Sequence, residues 1–272
     1  MSAEPRASSS LCLVRNGAAG IEVLMAQRNH QARFMPGAWV FPGGVVDDAD
    51  WSAQAAAALD GLHDDAQQGW LAAALRETVE ETGIWLSASP FVVEPDDRID
   101  GAEVYDRAIQ GGLRFHATDL VYFANWITPA DLPIRFDTRF YLASTDASLD
   151  ARADQREMMA AGWVAVGEAK ARSDAGDLVL PFPTLKTVEW FATFGRAEDL
   201  MVWAQSLDRV PVTQPRIRIS GSELEIVLPW DAGYHELPEE SGNPELLRLA
   251  ATARTVDGTP VAEMRPARDE VR

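Results

Sequence analysis

The segment Arg76-Glu77-Thr78-Val79-Glu80-Glu81-Thr82-Gly83-Ile84 constrains this chain more than any other. Upstream of it, Leu71, Leu75 and Val79 recur every four residues, which predicts a helix over about 66–83 with one buried stripe. Glu77, Glu80 and Glu81 then fall at i, i+3 and i+4 and share a face of that helix. Gly83 supplies the helix stop. Neighbouring anions on a helix cost a few tenths of a kcal/mol per pair, and folding does not ask for them. A cluster of hard oxygen ligands for Mg²⁺ or Mn²⁺ does ask for them. Arg76, adjacent to the cluster, can offset part of the repulsion and hold one carboxylate. Alone, such a run reads as a solvated acidic face. Its context is Phe41-Pro42-Gly43-Gly44, a strand end followed by a glycine turn that permits close backbone approach and exposes a carbonyl to a metal.

Around this segment the sequence alternates strands and helices. Strands are expected at Leu11–Arg15 and Ile21–Gln27, with 16–20 as their turn, and at Ala38–Phe41. Helices are expected at 52–59 and 66–83, an inserted helix-loop within the polar stretch 96–117, and strands at Asp119–Thr128 and Thr138–Ser144. A short strand at Trp163–Val166 leads into a helix from about Glu168. Pro183–Leu207 reads as one long amphipathic helix whose Trp190, Phe191, Phe194, Leu200 and Trp203 form a core face. Arg216–Ser220 and Glu223–Leu228 read as a terminal hairpin. The mixture predicts a layered α/β architecture in one elaborated domain over 9–255, with flexible tails at 1–8 and 256–272.

Composition narrows the function classes. The chain carries 42 acidic against 24 basic residues, a formal net charge of −18. Such a surface repels phosphate backbones, which argues against a nucleic-acid polymer as partner. It leaves room for a small phosphorylated substrate, because bound cations invert the local field. The single cysteine, Cys12, lies in an apolar run and reads as a core residue. The first ten residues lack a signal-peptide core and no apolar run approaches bilayer length, so a soluble, cytoplasmic protein without a membrane partner is expected. There is no G-x-S-x-G, Walker A or G-x-G-x-x-G motif.

Taken together, Gly44 to Ile84 resembles the Nudix signature, G-x5-E-x7-R-E-U-x-E-E-x-G-U with U a bulky aliphatic. Arg76, Glu77, Glu80, Glu81, Gly83 and Ile84 match its second half, with Thr78 in place of an aliphatic. Gly44 matches its opening glycine and Asp50 falls at the first glutamate. Asp50 and Arg76 are separated by 25 residues instead of 7, so 18 residues are inserted within the box. This interruption, with Arg135-Phe136-Asp137-Thr138-Arg139-Phe140 and Pro181-Phe182-Pro183-Thr184-Leu185, is similar to the Nudix 19-like (RP2-like) branch. Leu24 to Arg28, then Arg33, Gly37 and Phe41–Gly44, are similar to the upstream motif of coenzyme A diphosphatases, departing from it at Met25, Ala26 and Asn29.

The resemblance implies a Nudix fold: a mixed β-sheet between helices (α/β/α), with the insertion in the box and a C-terminal helical and hairpin extension. It implies a metal-dependent diphosphatase in which Glu77, Glu80, Glu81 and the Gly43 carbonyl hold Mg²⁺ or Mn²⁺. Glu77, Glu80, Arg76 and the loop acid Glu157 are the candidate catalytic groups. Arg28, Arg33 and Gly44 are the candidate substrate contacts, with Arg28 expected to read the 3′-phosphate of coenzyme A. The substrate expected is coenzyme A or acyl-CoA; ADP-ribose or a dinucleotide is the nearest alternative, and a catalytically silent nucleotide-binding domain a further one. A homodimer, and a site-lining, dimer-forming or merely excursive role for the insertion at 51–69, are left open.

Overall fold

The computed structural model describes residues 3–32, 35–61, 64–94, 99–220, 223–242 and 254–255. The chain enters in β1 (Arg6–Gly17), reverses into β2 (Gly20–Arg28) and adds two short strands, β3 (Trp39–Val40) and β4 (Gly43–Val45). Helix α1 (Ala53–Ala58) and β5 (Leu59–Asp60) precede the long helix α2 (Gln68–Thr82). After it come β6 (Ile84–Trp85), β7 (Phe91–Val92), α3 (Glu103–Gln110) and β8 (Phe115–His116). Strands β9 (Val121–Ile127), β10 (Phe136–Ser144) and β11 (Met158–Ala165) follow. The C-terminal part comprises α4 (Val166–Asp174), α5 (Phe182–Phe191), α6 (Ala197–Gln205), β12 (Val212–Thr213), the hairpin β13 (Arg216–Ser220) and β14 (Glu223–Val227), and β15 (Arg254–Thr255).

The main sheet is mixed and runs β11-β2-β1-β10-β9-β12. Strand β1 pairs in parallel with β10 along its length, from Arg6 opposite Phe136 to Val14 opposite Ser144. On its other edge β1 divides its partners: Val14 to Gly17 pair with β2, whereas Ser8 to Ser10 pair with β4. Successive β1 side chains alternate between two cores. Leu11 and Leu13, with Leu24 of β2, pack against α1, α2 and α3. Cys12 and Val14, with Val23 and Met25, pack against α4, α5 and α6. The sheet therefore lies between two helical layers, the α/β/α arrangement expected from the sequence.

Three expectations need correction. Residues 6–8 are not part of a loose tail: Arg6, Ala7 and Ser8 belong to β1, and the Arg135 guanidinium donates to the Ala3 carbonyl at 2.7 Å. Pro183–Leu207 is not one helix. The turn-closing bonds Thr193 N to Trp190 O and Phe194 N to Phe191 O end α5, the chain passes through Gly195, and the Asn16 side chain then accepts from Ala197 N to start α6. The aromatic stripe comes from two helices packed together, with the Trp190 and Trp203 rings edge to face at 3.9 Å. Strand β11 begins at Met158 instead of Trp163, because its first residue pairs with Arg28 at the end of β2. The expected tail at 256–272 lies outside the described residues. Among the described residues, no helix is long and apolar enough to cross a membrane.

The insertion has its own partner in the fold. Strand β5 pairs in parallel with β8, Leu59 opposite Phe115, and α1 packs on α3. The insertion and the segment after the box thus form one small layer beside α2.

Candidate functional site

Helix α2 carries the charged cluster because its other faces are buried: Leu71, Leu75 and Val79 face the core, as do Ala72, Ala73 and Ala74. Thr78, at the aliphatic position of the box, is fully buried and donates its hydroxyl to the Ala74 carbonyl at 2.7 Å. Gly83 closes the helix at φ 73°, a left-handed conformation that suits glycine. Successive helical residues turn by about 100°, so Glu80 and Glu81 diverge and Glu77 lies between their directions. Glu77 packs over Gly44, where a Cβ would stand 2.3 Å from its Oε1. Glu81 accepts from the Gly43 N–H at 3.0 Å, and a Cβ on Gly43 would collide with the Ser9 carbonyl at 2.3 Å. The two glycines are what allow β4 to run against both β1 and the acidic face of α2. Glu80 turns the other way and accepts from the Gly101 N–H at 2.7 Å.

Arg76 ties these groups together. Its Nε and Nη2 donate to the two oxygens of the fully buried Asp50 at 2.9 and 3.0 Å, a bidentate pair. Nη2 also donates to the Val45 carbonyl at 3.1 Å, and Nη1 donates to Glu77 at 2.9 Å and to Glu80 at 3.3 Å. Asp50 further accepts from the Asp47 N–H and from the Tyr105 hydroxyl. Asp50 therefore meets Arg76 despite the inserted residues between them.

Glu77, Glu81, Gly43 and Gly44 open onto a cavity of about 520 Å³. Arg28 and Glu157 stand at the same end, brought together where β11 begins opposite the end of β2. The Asp154 carboxylate accepts from the N–H groups of Glu157 and Met158 at 3.0 and 2.7 Å, which fixes the turn that presents Glu157. Ser8, Ser10 and Thr138 contribute a hydroxyl-bearing wall, and Trp126, Phe136, Phe182, Pro183, Pro215 and Ile226 an apolar one. Both stretches that resembled the Nudix 19-like branch thus reach the cavity, through Phe136 to Phe140 and Pro181 to Thr184. Among the described residues, none of the insertion at 51–69 lines it. Arg33 lies outside the described residues.

Electrostatics set the carboxylates apart from ordinary surface acids. Burial, then the charges of Glu80 and Glu157, outweigh the pull of Arg76 and push Glu77 up to about 7. Burial and the Glu77 charge push Glu81 well above the usual carboxylate range, against the Gly43 N–H and Arg28. Burial also raises Glu80, against Arg76 and Gly101. A buried and a largely buried carboxylate forced to share a cavity are an arrangement that a divalent cation relieves. Among the described residues, no three His, Cys, Asp or Glu side chains converge closely enough to close a metal cage. The carboxylate pair beside an open cavity suits a hard divalent cation whose shell phosphate oxygens and water complete.

Of the residues singled out in the sequence, the structure gathers Arg28, Gly43, Gly44, Glu77, Glu81 and Glu157 at one end of the cavity, with Arg76 behind them. Glu80 is on the helix but not at the cavity. Sequence reasoning missed Tyr105 and the apolar wall. Tyr105 carries no motif, and the wall draws on residues spread along the chain from Trp126 to Ile226.

No family model matches the chain. A solved NUDIX hydrolase from Alicyclobacillus acidocaldarius superposes with a TM-score of 0.66 at 30% identity, covering 73% of this chain and 96% of that one. A Caenorhabditis elegans protein carrying the name nudix hydrolase 7 is 28% identical over 246 residues, 87% of this chain and 77% of its own length. The acyl-coenzyme A diphosphatase NUDT19 of Xenopus laevis is 23% identical over 289 residues, 85% of this chain and 76% of its own. Fold, box and likeness across nearly the whole of the bacterial hydrolase agree: this chain belongs to the Nudix hydrolase superfamily, pyrophosphohydrolases that act on nucleoside diphosphate derivatives with divalent metal ions.

Proposed function

We propose that the chain hydrolyses the pyrophosphate of coenzyme A or an acyl-CoA, releasing 3′,5′-ADP and a 4′-phosphopantetheine. The observation that carries this reading is the two-sided cavity: largely buried carboxylates with Arg28 at one end, and beside them an apolar wall built by β9, β10 and the C-terminal extension. The upstream motif from Leu24 to Gly44 supports it, because its Arg28 and its two glycines meet at that charged end. The partner is a small nucleotide-containing molecule, not a nucleic-acid polymer.

Glu77, Glu81 and the Gly43 carbonyl would hold Mg²⁺ or Mn²⁺, which when bound polarises the phosphoryl oxygens and acidifies a water. Arg76 fixes the Glu77 carboxylate in place and balances its charge. Glu157, exposed on the rim and electrostatically coupled to both buried carboxylates, is positioned to take the proton of an attacking water. Arg28 neutralises a phosphate oxygen at the same end, and Arg33 is retained from the sequence as a second phosphate contact. Gly44 lets Glu77 approach β4, and Glu80 anchors the helix through Gly101 instead of facing substrate. One observation favours the alternative of ADP-ribose or a dinucleotide. The charge of Arg28 acts on Glu81, which suits an arginine that neutralises the scissile phosphates better than one that reads a remote 3′-phosphate.

The test is a product assay on coenzyme A, acetyl-CoA, 3′-dephospho-CoA, ADP-ribose and NADH, each with Mg²⁺, Mn²⁺ or chelator. Metal-dependent release of 3′,5′-ADP in preference to the other products supports the coenzyme A reading. Preferential cleavage of ADP-ribose or NADH overturns it and leaves the enzyme class standing.

A further inference from the structure

We propose that Tyr105 is a positioning residue of this hydrolase, setting the metal-holding helix α2 from outside the Nudix box through its hydroxyl contact with Asp50. The inference rests on the reading that Glu77 and Glu81 hold the cation.

Tyr105 lies on α3, fully buried, and its hydroxyl donates to the same Asp50 oxygen that accepts from Arg76 Nε. Asp50 is wholly buried, so each donor it keeps limits how its carboxylate can rotate. Its other oxygen accepts from Arg76 Nη2 and the Asp47 N–H. The orientation of the Arg76 guanidinium follows from that of Asp50, and Arg76 in turn holds Glu77. A second contact from the same segment reinforces the first: the Gly101 N–H, just before α3, donates to Glu80. Layer β5/β8 and the packing of α1 on α3 explain how this segment is held against α2. The insertion within the box is thereby the seat of α3, and not a wall of the cavity. Arg76 is one hydrogen bond removed from the Glu77 carboxylate, and such partners govern metal affinity by fixing ligand orientation; Asp50 and Tyr105 act further out by fixing Arg76.

The experiment measures Mn²⁺ binding to the full-length protein by electron paramagnetic resonance of the free ion, with kcat and KM on the best substrate of the product assay. Y105F should fold, bind Mn²⁺ roughly 10-fold more weakly and lose kcat to a similar extent, with KM changed less than about twofold. D50N should show at least as large a loss. The double variant Y105F/D50N should lose much less than the two single losses combined, because Tyr105 and Asp50 hold Arg76 as one network. Val104→Ala, which loosens the same buried face of α3 without touching Asp50, should lower the melting temperature and leave Mn²⁺ affinity unchanged. Wild-type Mn²⁺ affinity in Y105F, additive losses in the double variant, or an equal loss in V104A overturns the proposal. If Y105F does not fold, wild-type affinity in D50N overturns it. E81Q separates the two readings: if it binds Mn²⁺ as the wild type does, the metal assignment itself fails. If E81Q loses Mn²⁺ while Y105F retains it, only the role of Tyr105 fails.

Discussion

Raising the pH in the presence of a chelator should destabilise this protein, and a divalent cation should abolish the effect. Glu77 is only 13% exposed, and burial with the nearby Glu80 and Glu157 charges lifts its pKa from 4.5 to about 7. A tenfold change in proton affinity is worth about 1.4 kcal/mol, so the folded state gains about 3 kcal/mol from holding this proton. The gain is fully present below about pH 4.5 and is lost as pH rises towards about 7. Across that window the folded chain binds more protons than the unfolded chain, so the free energy of unfolding falls with pH. Glu80 and Glu81 are raised in the same direction and steepen the slope. Glu198, lowered to about 2 by Asn16 and Arg196, acts in the opposite sense but below this window. The assay is urea unfolding followed by tryptophan fluorescence, from about pH 5 to about pH 8, with chelator or saturating Mn²⁺. Bound Mn²⁺ replaces the protons and adds its own binding energy to the folded state. A flat profile in chelator, or an unchanged slope in E77Q, would refute the reasoning.

Three substitutions probe the same geometry. Gly44→Ala should leave the fold intact, because the nearest atoms to the new methyl are those of the Glu77 carboxylate and not backbone, yet reduce kcat by about 100-fold by displacing that carboxylate from its Arg76 contact; near-normal turnover would dissociate Gly44 from Glu77. Arg28→Ala should raise KM equally for coenzyme A and 3′-dephospho-CoA, since Arg28 lines the cavity with Glu81 and its charge acts on that carboxylate; a selective effect on coenzyme A would instead support Arg28 as the 3′-phosphate contact. Gly83→Ala should cost about 1–2 kcal/mol in a urea melt by placing a Cβ at φ 73°, and an unchanged midpoint would remove the need for glycine at that helix end.

What the sequence revealed was the part governed by short-range periodicity. The stripe Leu71-Leu75-Val79 and the stop at Gly83 specify α2 wherever the rest of the chain goes. The alternation in β1 and β2 specifies a sheet buried on both faces. The break between α5 and α6 is signalled only weakly, by Gly195 and a slip of phase: Trp190 and Phe194 share a helical face, whereas Trp203 falls about 180° from Phe194 on a continuous helix. The box pattern named three glutamates and helix phase sets Glu80 and Glu81 about 100° apart, but a pattern of letters does not say which partner each side chain meets. That depended on Gly101 capturing Glu80, a contact across 21 residues. Tyr105 was invisible for the same reason: its hydroxyl matters only because Asp50 is buried beneath it, 55 positions away.

The interruption of the box shows how a catalytic motif survives an insertion. The geometry that matters is the approach of Asp50 to Arg76, and the structure secures it at the neck of the excursion. The Gln68 side chain donates to the Asp50 and Ser52 carbonyls at 3.2 and 2.9 Å, clamping the outgoing and returning chain. Trp51 lies directly over Gly69, where a Cβ would sit 2.2 Å from its ring. Asp47 and Asp50 cap the short turn that delivers the carboxylate to the guanidinium. Once the ends are fixed, extra length costs little, because loop-closure entropy grows only with the logarithm of length. The inserted residues then recover burial by packing α1 on α3 and pairing β5 with β8. Spacing within a signature is therefore a weaker requirement than closure of its neck. Disrupting the Gln68 clamp should loosen Asp50 more than shortening the middle of the insertion does.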